Sequence, residues 1–275
     1  MKFSGRRLLR PLVGFVLLFA SGCAATSRAP GTDVFLLAGQ SNMSGRGDLR
    51  ELTDVEREPD PAIRLYGNDG RWREALDPLD DPNGQVDPVS ADPQAAVGPG
   101  LTFARELRKI RKRPVVLVPC AKGGASIVRW RPDAARESLY GSCLARARAV
   151  GERVRGILWY QGETDAESET RSAEWAKAFS DLVRSLRADL GSERLPVVFV
   201  QLADAPRWPE RARSFPGWST IQEAQGNLRE QCVSMVSAKG LATRDDELHL
   251  TTEAQRGLGV RLAAAMHMLL RNGCK

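Results

Sequence analysis

Residues 34–45 read VFLLAGQSNMSG, and this stretch decides the predicted fold. Its first part, 34–38, is a short continuous apolar run bounded by turn residues, which is typical of a strand buried in a parallel sheet. Gly39 and Gly45 bracket the polar part that follows and allow the backbone to turn sharply. A serine directly after such a strand, as Ser41 is, lies at the edge where open α/β sheets bind ligands. Ser41 is therefore a candidate nucleophile.

Four further apolar runs predict four more strands, and segments with helical spacing separate them. The predicted strands are 34–38, 115–119, 157–160, 197–202 and 232–236. The predicted helices are 99–111, 139–154, 172–190, 218–229 and 252–270. Strands that alternate with helices indicate a parallel sheet covered on both faces. We expect an α/β fold with three layers and a mainly parallel five-stranded sheet, forming a single domain over residues 32–275.

Residues 46–98 interrupt this alternation. The segment is rich in Pro, Asp and Gly and contains one short strand-like piece, 62–66. A long irregular insert next to Ser41 is either a functional loop or a surface excursion, and its position favours substrate binding. Trp72 within it has two interpretations, stacking on a sugar or packing under the loop.

The first 22 residues have the pattern of an export signal. A basic start precedes the apolar run 12–20, which is too short to span a bilayer permanently. The sequence ASGC at 20–23 resembles a lipoprotein cleavage box, so Cys23 is the predicted lipidation site and 23–31 a tether. We expect an exported protein, anchored by lipid and facing the periplasm or cell exterior. The alternative is a plain secretory signal.

Composition excludes several classes of function. The four basic residues of the signal account for much of the positive charge, and without them the formal net charge falls from +6 to +2. Charge therefore predicts no nucleic-acid partner. The cysteines other than Cys23 are Cys120, Cys143, Cys232 and Cys274. Their spacing does not match a metal site, and with two histidines in the chain we expect no metal. Cys120 is predicted to be a small core residue, and disulfide pairing stays open.

A serine hydroxyl needs a base, and the chain offers two histidines. His267 lies within the last predicted helix, without a nearby acid, and is predicted to be structural. His249 lies before that helix, and Asp246 precedes it by three residues, a spacing that lets the carboxylate reach the imidazole. Asp245 and Glu247 are rival acids that we expect to be solvated.

Acyl transfer also needs donors for an oxyanion, and two other strand ends supply candidates. The turn at 122–124, KGG, lets a backbone amide approach a ligand, which makes Gly124 a candidate. Gln161 follows the third predicted strand and offers a side-chain amide.

Together the strand-end motifs resemble those of SGNH-type hydrolases, in the carbohydrate esterase family 6 and sialate O-acetylesterase-like (SASA) branch. The motifs are GQSNMSGRG at 39–47, VPCAKGGASIVRW at 118–130, LWYQGETDA at 158–166 and DELHLTTEAQ at 246–255. The resemblance spans nearly the whole exported part of the chain. It implies a flavodoxin-like α/β/α fold and removal of O-acetyl groups from carbohydrates, without a metal or organic cofactor.

The resemblance also implies roles for single residues. It makes Ser41 the nucleophile, His249 the base and Asp246 the acid. The oxyanion donors would be the amides of Ser41 and Gly124 and the side chain of Gln161. Glu163 would support the loop or contact the neighbourhood of Ser41, with assistance to His249 as the less favoured role. Ala125 and Thr164 replace residues that are often Thr and Ser in this branch.

The sequence therefore predicts a serine acetylesterase acting on acetylated carbohydrates such as acetylated xylan. Its activity should fall in acid as His249 becomes protonated. One alternative is an esterase for sialate or another acyl ester. Another, from a different class, is a non-catalytic glycan-binding surface protein.

Overall fold

A computed structural model describes residues 31–274 and the first two residues of the chain. The predicted signal, Cys23 and nearly all of the predicted tether lie outside the described residues. Within the described part, no helix combines the length and the apolar character needed to cross a bilayer.

The sheet has seven strands, not the five predicted. They are β1 (Asp33–Gly39), β2 (Ile63–Tyr66), β3 (Trp72–Glu74), β4 (Val115–Pro119), β5 (Val154–Tyr160), β6 (Val197–Gln201) and β7 (Val233–Ser237). The spatial order is β3-β2-β4-β1-β5-β6-β7. All neighbouring pairs are parallel except β2 and β3, which form an antiparallel hairpin at one edge.

The two additional strands come from the insert at 46–98, and their sequences explain why the prediction was incomplete. β2 alternates between buried and partly or fully exposed residues, and β3 consists of only three residues, none of them buried. An edge hairpin of this kind lacks the continuous apolar run that marks a strand buried on both faces. The strand-like piece predicted at 62–66 is confirmed as β2.

The five strands predicted from apolar runs keep the order 2-1-3-4-5 along the sheet, counted in chain order. This is the strand order of flavodoxin-like folds, in which the ligand crevice opens where the connections diverge from the first strand. In this chain that point lies between the carboxyl ends of β1 and β5. Ser41 follows the first of these strands and Gln161 the second.

Helices cover both faces of the sheet. The longer ones are α3 (Gly100–Arg111), α4 (Leu139–Ala149), α5 (Glu169–Asp189), α7 (Trp218–Asn227) and α8 (Thr252–Asn272). The short ones are α1 (Ser41–Ser44), α2 (Asp54–Arg57) and α6 (Pro209–Arg213). α4 ends earlier than predicted, since Val154 begins β5 instead of ending the helix.

Aromatic pairs show which helices lie on which face. The ring of Phe35 in β1 packs edge-to-face on Phe103 of α3, with centroids 5.0 Å apart. On the opposite face, Trp159 of β5 contacts Phe179 of α5, with centroids 5.9 Å apart. Burial of such large rings on each face stabilises the layers through the apolar area removed from water.

Cys120 and Cys143 form a disulfide. Cys120 is fully buried directly after β4, and Cys143 is buried in α4, so the bond joins the segment that follows the strand to the helix that packs over it. Cys120 is therefore a core residue as predicted, but a cross-linked one. Cys232 and Cys274 are buried free thiols.

Trp72 lies on β3, and its surroundings favour packing over sugar binding. The guanidinium of Arg64 lies 4.6 Å from the ring centroid, and Tyr66 packs edge-to-face at 5.4 Å. The side chain keeps 38% of its surface exposed, but these two neighbours contact the indole.

Candidate active site

Ser41 begins the single turn α1, immediately after β1. The turn is possible because Gly39 adopts φ +125°, and a Cβ at this position would lie only 2.1 Å from the carbonyl oxygen of Tyr160 in β5. The amide of Gln40 donates to that same carbonyl at 2.8 Å, and the amide of Lys122 donates to the Gly39 carbonyl at 3.2 Å. These bonds fasten the ends of β1, β4 and β5 together, so three distant motifs meet at Ser41.

Ser41, His249 and Asp246 form a hydrogen-bonded row. Ser41 Oγ lies 2.9 Å from His249 Nε2, and His249 Nδ1 lies 2.6 Å from Asp246 Oδ2. With the imidazole proton on Nδ1, the ring donates to the carboxylate and accepts from the hydroxyl. This is the arrangement in which a neutral histidine can remove the proton of a serine.

Asp246 is held as a carboxylate by hydrogen bonds. Its Oδ1 accepts from the amides of Leu248 at 3.0 Å and His249 at 2.9 Å. Burial opposes ionisation, but the hydrogen bonds from the His249 ring and the two amides outweigh it and hold the pKa of Asp246 well below its usual range. An ionised acid at this place stabilises a protonated imidazole.

Glu247 is not solvated, contrary to the prediction. Its φ is +53°, its side chain is buried, and Oε2 accepts from the amides of Arg207 at 2.9 Å and Trp208 at 2.8 Å. The carboxylate therefore points away from His249 and fixes another loop. Asp245 is exposed, as predicted.

Asn42 holds the backbone on both sides of His249. Its Nδ2 donates to the carbonyl of Leu248 at 3.1 Å, and its Oδ1 accepts from the amide of Leu250 at 3.0 Å. Because Asn42 is the neighbour of Ser41, this single side chain sets the distance between the nucleophile and the base. Sequence reasoning missed this role, although Asn42 lies within the motif that carried the resemblance.

Glu163 lies behind Asn42 and is fully buried, with 1% of its surface exposed. Its Oε1 accepts from Asn42 Nδ2 at 2.7 Å, and its Oε2 has no hydrogen-bond partner among the described residues. Burial raises the pKa of Glu163, while the hydrogen bond from Asn42 and the proximity of His249 act in the opposite direction. The structure thus places Glu163 in the neighbourhood of Ser41, in contact with its adjacent residue.

Two backbone amides are free to donate near the serine. Neither the amide of Ser41 nor that of Gly124 donates a hydrogen bond to any part of the chain that the structure describes. Gly124 is exposed, has φ +70°, and a Cβ there would meet nothing within 4 Å. Free amides in an open turn are what an oxyanion requires.

Asp92, from the insert, joins the Ser41 turn to the turn at 122–124. Its Oδ2 accepts from Ser44 Oγ at 2.7 Å and from the amide of Gly123 at 2.9 Å. Arg46 pairs with the same oxygen at 2.9 Å, and both side chains of this ion pair are buried. Burial opposes ionisation of Asp92, yet Arg46 and the hydrogen bonds hold its pKa below the usual range. No sequence signal marks Asp92, because Ser44, Arg46 and Gly123, which it joins, are each more than thirty residues away in the chain.

Gln161 is placed differently from the prediction of a free oxyanion donor. Its side chain is completely buried, and Nε2 donates to Asp165 Oδ2 and, at 3.3 Å each, to Gln40 Oε1 and the Ala125 carbonyl. Its Oε1 accepts from Trp175 Nε1 at 2.8 Å. All hydrogen-bonding groups of the Gln161 side chain are therefore used within the protein. They connect the loops that carry the site instead of facing the substrate.

Asp165 belongs to the same buried support. Besides Gln161, its Oδ2 accepts from the amide of Ile127 at 2.8 Å, which fixes the segment after the glycine turn. Burial raises the pKa of Asp165. Across the described part of the chain, no cluster of three or more His, Cys, Asp or Glu side chains is arranged to hold a metal ion.

Comparison with known proteins identifies the family that this chain matches. A family model described as carbohydrate esterase, sialic acid-specific acetylesterase (SASA) matches residues 31–268. An Arabidopsis thaliana protein named "Probable carbohydrate esterase" is 33% identical over 256 residues, which cover 87% of this chain and 92% of the relative.

Solved structures show the same fold. An Arabidopsis thaliana protein matches with a TM-score of 0.73 and 32% identity, over 87% of this chain and 98% of the other. A carbohydrate acetylesterase from Xanthomonas citri gives 0.66 and 24% identity, over 87% of this chain and 56% of the other. NanS gives 0.65 and 19% identity, over 89% of this chain and 99% of the other.

Proposed function

This chain belongs to the SASA family of carbohydrate esterases, which are carboxylic ester hydrolases, and on that premise we propose that it removes O-acetyl groups from sugars with Ser41 as the nucleophile. The observation that carries the proposal is the 2.9 Å contact between Ser41 Oγ and His249 Nε2. The Asp246 carboxylate on the other ring nitrogen supports the role of base.

In the first half of the proposed reaction, His249 Nε2 takes the proton of Ser41 as Oγ attacks the acetyl carbonyl carbon. The resulting imidazolium donates from Nδ1 to Asp246, which stays ionised because its pKa lies below the usual range. The tetrahedral oxyanion collapses, the bond to the sugar oxygen breaks, and His249 returns the proton to that oxygen. The products are the free sugar hydroxyl and an acetyl-serine.

The oxyanion is proposed to accept hydrogen bonds from the amides of Ser41 and Gly124. Asp92 supports this role, because it fixes the amide of Gly123 and leaves that of the next residue free. Loss of one such donor typically lowers kcat by about 100- to 1,000-fold. Gln161 is assigned a supporting position, since its hydrogen-bonding groups are already in use.

In the second half, water attacks the acetyl carbon while His249 takes its proton. The same two amides stabilise the oxyanion, and acetic acid leaves as His249 returns the proton to Ser41. The released acid then ionises to acetate in solution. Only groups of the chain and water take part in these steps.

Acetylated xylan is one proposed substrate, and the family description favours a second, acetylated sialic acid. Both present an acetyl ester on a sugar ring, so the same acyl chemistry serves either. The non-catalytic glycan-binding alternative is disfavoured by the close contact of a serine, a histidine and an ionised aspartate.

We also propose that the chain is exported and anchored through lipid on Cys23. The disulfide between Cys120 and Cys143 supports export, since such bonds form and persist in oxidising compartments. Mass analysis of the mature N-terminus tests the anchor. An unmodified Cys23 would contradict lipidation and support the alternative of a plain secretory signal.

The proposed activity is tested by acetate release from acetylated xylan, O-acetylated sialic acid and a small aryl acetate. Ser41→Ala and His249→Ala should each abolish release, and His267→Ala is the matched control that should retain it. If the protein binds a glycan but releases no acetate in a Ser41-dependent way from any of the three esters, the glycan-binding alternative is correct and the esterase proposal is wrong.

A further inference from the structure

An exposed tryptophan lies on the loop that follows β6, at the same sheet edge as Ser41. Trp208 has 59% of its surface exposed, whereas the indoles of Trp159 and Trp175 are fully buried. Single exposed apolar side chains are normal in proteins, so exposure alone carries no conclusion. Two further features distinguish Trp208: its backbone is hydrogen-bonded to the loop that bears His249, and a concave surface opens beside its indole.

The loop that bears Trp208 is fastened to the loop that bears His249. Glu247 Oε2 accepts from the Trp208 amide at 2.8 Å and from the Arg207 amide at 2.9 Å. One turn further on, Arg211 Nε donates to the carbonyl of Asp246 at 3.2 Å. The indole is therefore carried on a backbone that keeps a fixed relation to the proposed acid and base.

A concave surface of about 640 Å³ opens beside the indole. It is lined by Trp208, Pro209, Glu210, Arg211, Arg213 and Ser214. The volume falls in the range of small-molecule sites. An apolar ring bordered by a carboxylate, two guanidiniums and a hydroxyl matches a pyranose, which has an apolar C–H face and hydroxyl groups around its rim.

We propose that this surface is a sugar-binding subsite, in which Trp208 stacks on a pyranose ring of the glycan whose acetyl ester is at Ser41. The inference rests on the proposed function, because it assigns the part of the substrate that does not react. Glu247 acts as a positioning residue that holds the platform, and the exposed side chains of Glu210 and Arg213 on the same surface are the proposed partners of the sugar hydroxyls. Binding energy from this remote ring is used to place the ester at the nucleophile.

The surroundings of Trp72 provide a contrast within the same molecule. The guanidinium of Arg64 and the ring of Tyr66 contact its indole, which lies on the edge strand β3. Trp208 has no aromatic or cation–π partner among the described residues. Trp72→Ala is therefore a matched control that removes a partly exposed indole outside the proposed subsite.

The test compares wild type, Trp208→Ala, Trp208→Phe and Trp72→Ala on three esters. These are an acetylated xylo-oligosaccharide, O-acetylated sialic acid and p-nitrophenyl acetate. For the glycan ester that wild type hydrolyses better, Trp208→Ala should raise KM about five- to tenfold, the size of a lost stacking contact. It should leave turnover of the aryl acetate within about twofold, because the small ester does not reach the subsite. Trp208→Phe should recover part of the glycan affinity, and Trp72→Ala should change neither.

Other results would overturn the subsite. An equal loss on glycan and aryl esters would mean that Trp208 supports the His249 loop instead of the substrate. Unchanged glycan kinetics in Trp208→Ala would show that no sugar ring binds at this surface. Failure of the proposed function itself would look different, as Ser41-independent or absent hydrolysis of both glycan esters by wild type, and the subsite would then fall with it.

Discussion

The side-chain amide of Asn42 donates to the carboxyl oxygen Oε1 of Glu163 at 2.7 Å, across 121 residues of chain. The same amide contacts the backbone on both sides of His249, so Glu163 sets the orientation of a residue that sets the position of the base. A fully buried carboxyl group is costly unless it is hydrogen-bonded or protonated. The hydrogen bond from Asn42 meets this requirement at Oε1.

Glu163→Ala should lower kcat by about 10- to 100-fold with little change in KM, because the buried Asn42 amide loses an acceptor and its side chain can rotate. Glu163→Gln keeps an acceptor at the position of Oε1 and should restore most of the activity. Steady-state kinetics on an aryl acetate measure both variants. Equal activity of the alanine variant and wild type would contradict the positioning role.

Asp246→Asn should lower kcat by about 100- to 10,000-fold, because an amide no longer holds the His249 ring in the correct tautomer or stabilises its protonated form. Asp245→Asn is the matched control, since Asp245 is an exposed neighbour with no hydrogen bond to His249. Circular dichroism would verify that both variants fold. A control that loses as much activity as Asp246→Asn would assign the effect to loop structure.

The buried Arg46–Asp92 pair should be essential to stability and, separately, to the oxyanion turn. Asp92→Ala leaves the Arg46 charge unpaired and should cost about 3–5 kcal/mol of unfolding free energy. The double variant Arg46→Met, Asp92→Leu removes both charges and should recover much of that stability. Its kcat should nevertheless remain low, because the amide of Gly123 has lost its acceptor. Denaturant titration and kinetics together separate the two effects, and a stable double variant with full kcat would rule out the second.

Asp80 should make the protein less stable as pH rises from the unfolded-state pKa of an aspartate to about 7. Burial raises its pKa to about 7, and its Oδ2 has no hydrogen-bond partner among the described residues. Below the unfolded-state pKa, the carboxyl of Asp80 is protonated in both the folded and the unfolded chain, so it does not change the free energy of unfolding. Between that value and pH 7 the unfolded chain ionises first, so the free energy of unfolding falls, by about 4 kcal/mol once pH exceeds the folded-state pKa.

Denaturant titrations from pH 4 to pH 8 measure this slope, which Asp80→Asn should reduce but not abolish, because burial also raises the pKa of Asp77 to about 7. The neighbouring Asp81 provides a control of opposite sign. Burial opposes its ionisation, but the amide of Asn83 and the guanidinium of Arg73 lower its pKa. Asp81→Asn should therefore remove stability that is present above the unfolded-state pKa. An unaltered slope in Asp80→Asn would show that another group is responsible.

Much of the fold was predictable because its strands are buried on both faces. A strand such as β4, with five buried residues in succession, carries its burial in its own composition. The β2–β3 hairpin was predicted only in part, because an edge hairpin is half exposed and its partner strand is set by packing. The end of α4 was placed too late, because a helical pattern and the start of β5 overlap in sequence at Val154.

The candidate site also has a part that the sequence predicts and a part that it does not. The position of Ser41 after β1 and the i, i+3 spacing of Asp246 and His249 are local features, so composition and spacing identified them. Gln161 was predicted to offer a free amide, but Asp165 and Trp175 occupy its hydrogen-bonding groups in the folded chain. Asp165 is close in sequence, but Trp175 and Gln40 reach Gln161 only in the folded chain, so spacing alone did not reveal that the amide is occupied.

By itself, the sequence determined the alternating elements, the glycine turn at the nucleophile and the acid–base spacing, because these depend on residues close together in the chain. Only the tertiary structure decided that Asn42 holds the His249 loop, that Asp92 joins two turns and that Glu247 fixes the backbone of Trp208. These are contacts between residues far apart in sequence, and their geometry exists only once the sheet has brought its strand ends to one edge. Hydrogen bonds of this kind require placement within a few tenths of an ångström, which residue identity and spacing do not specify.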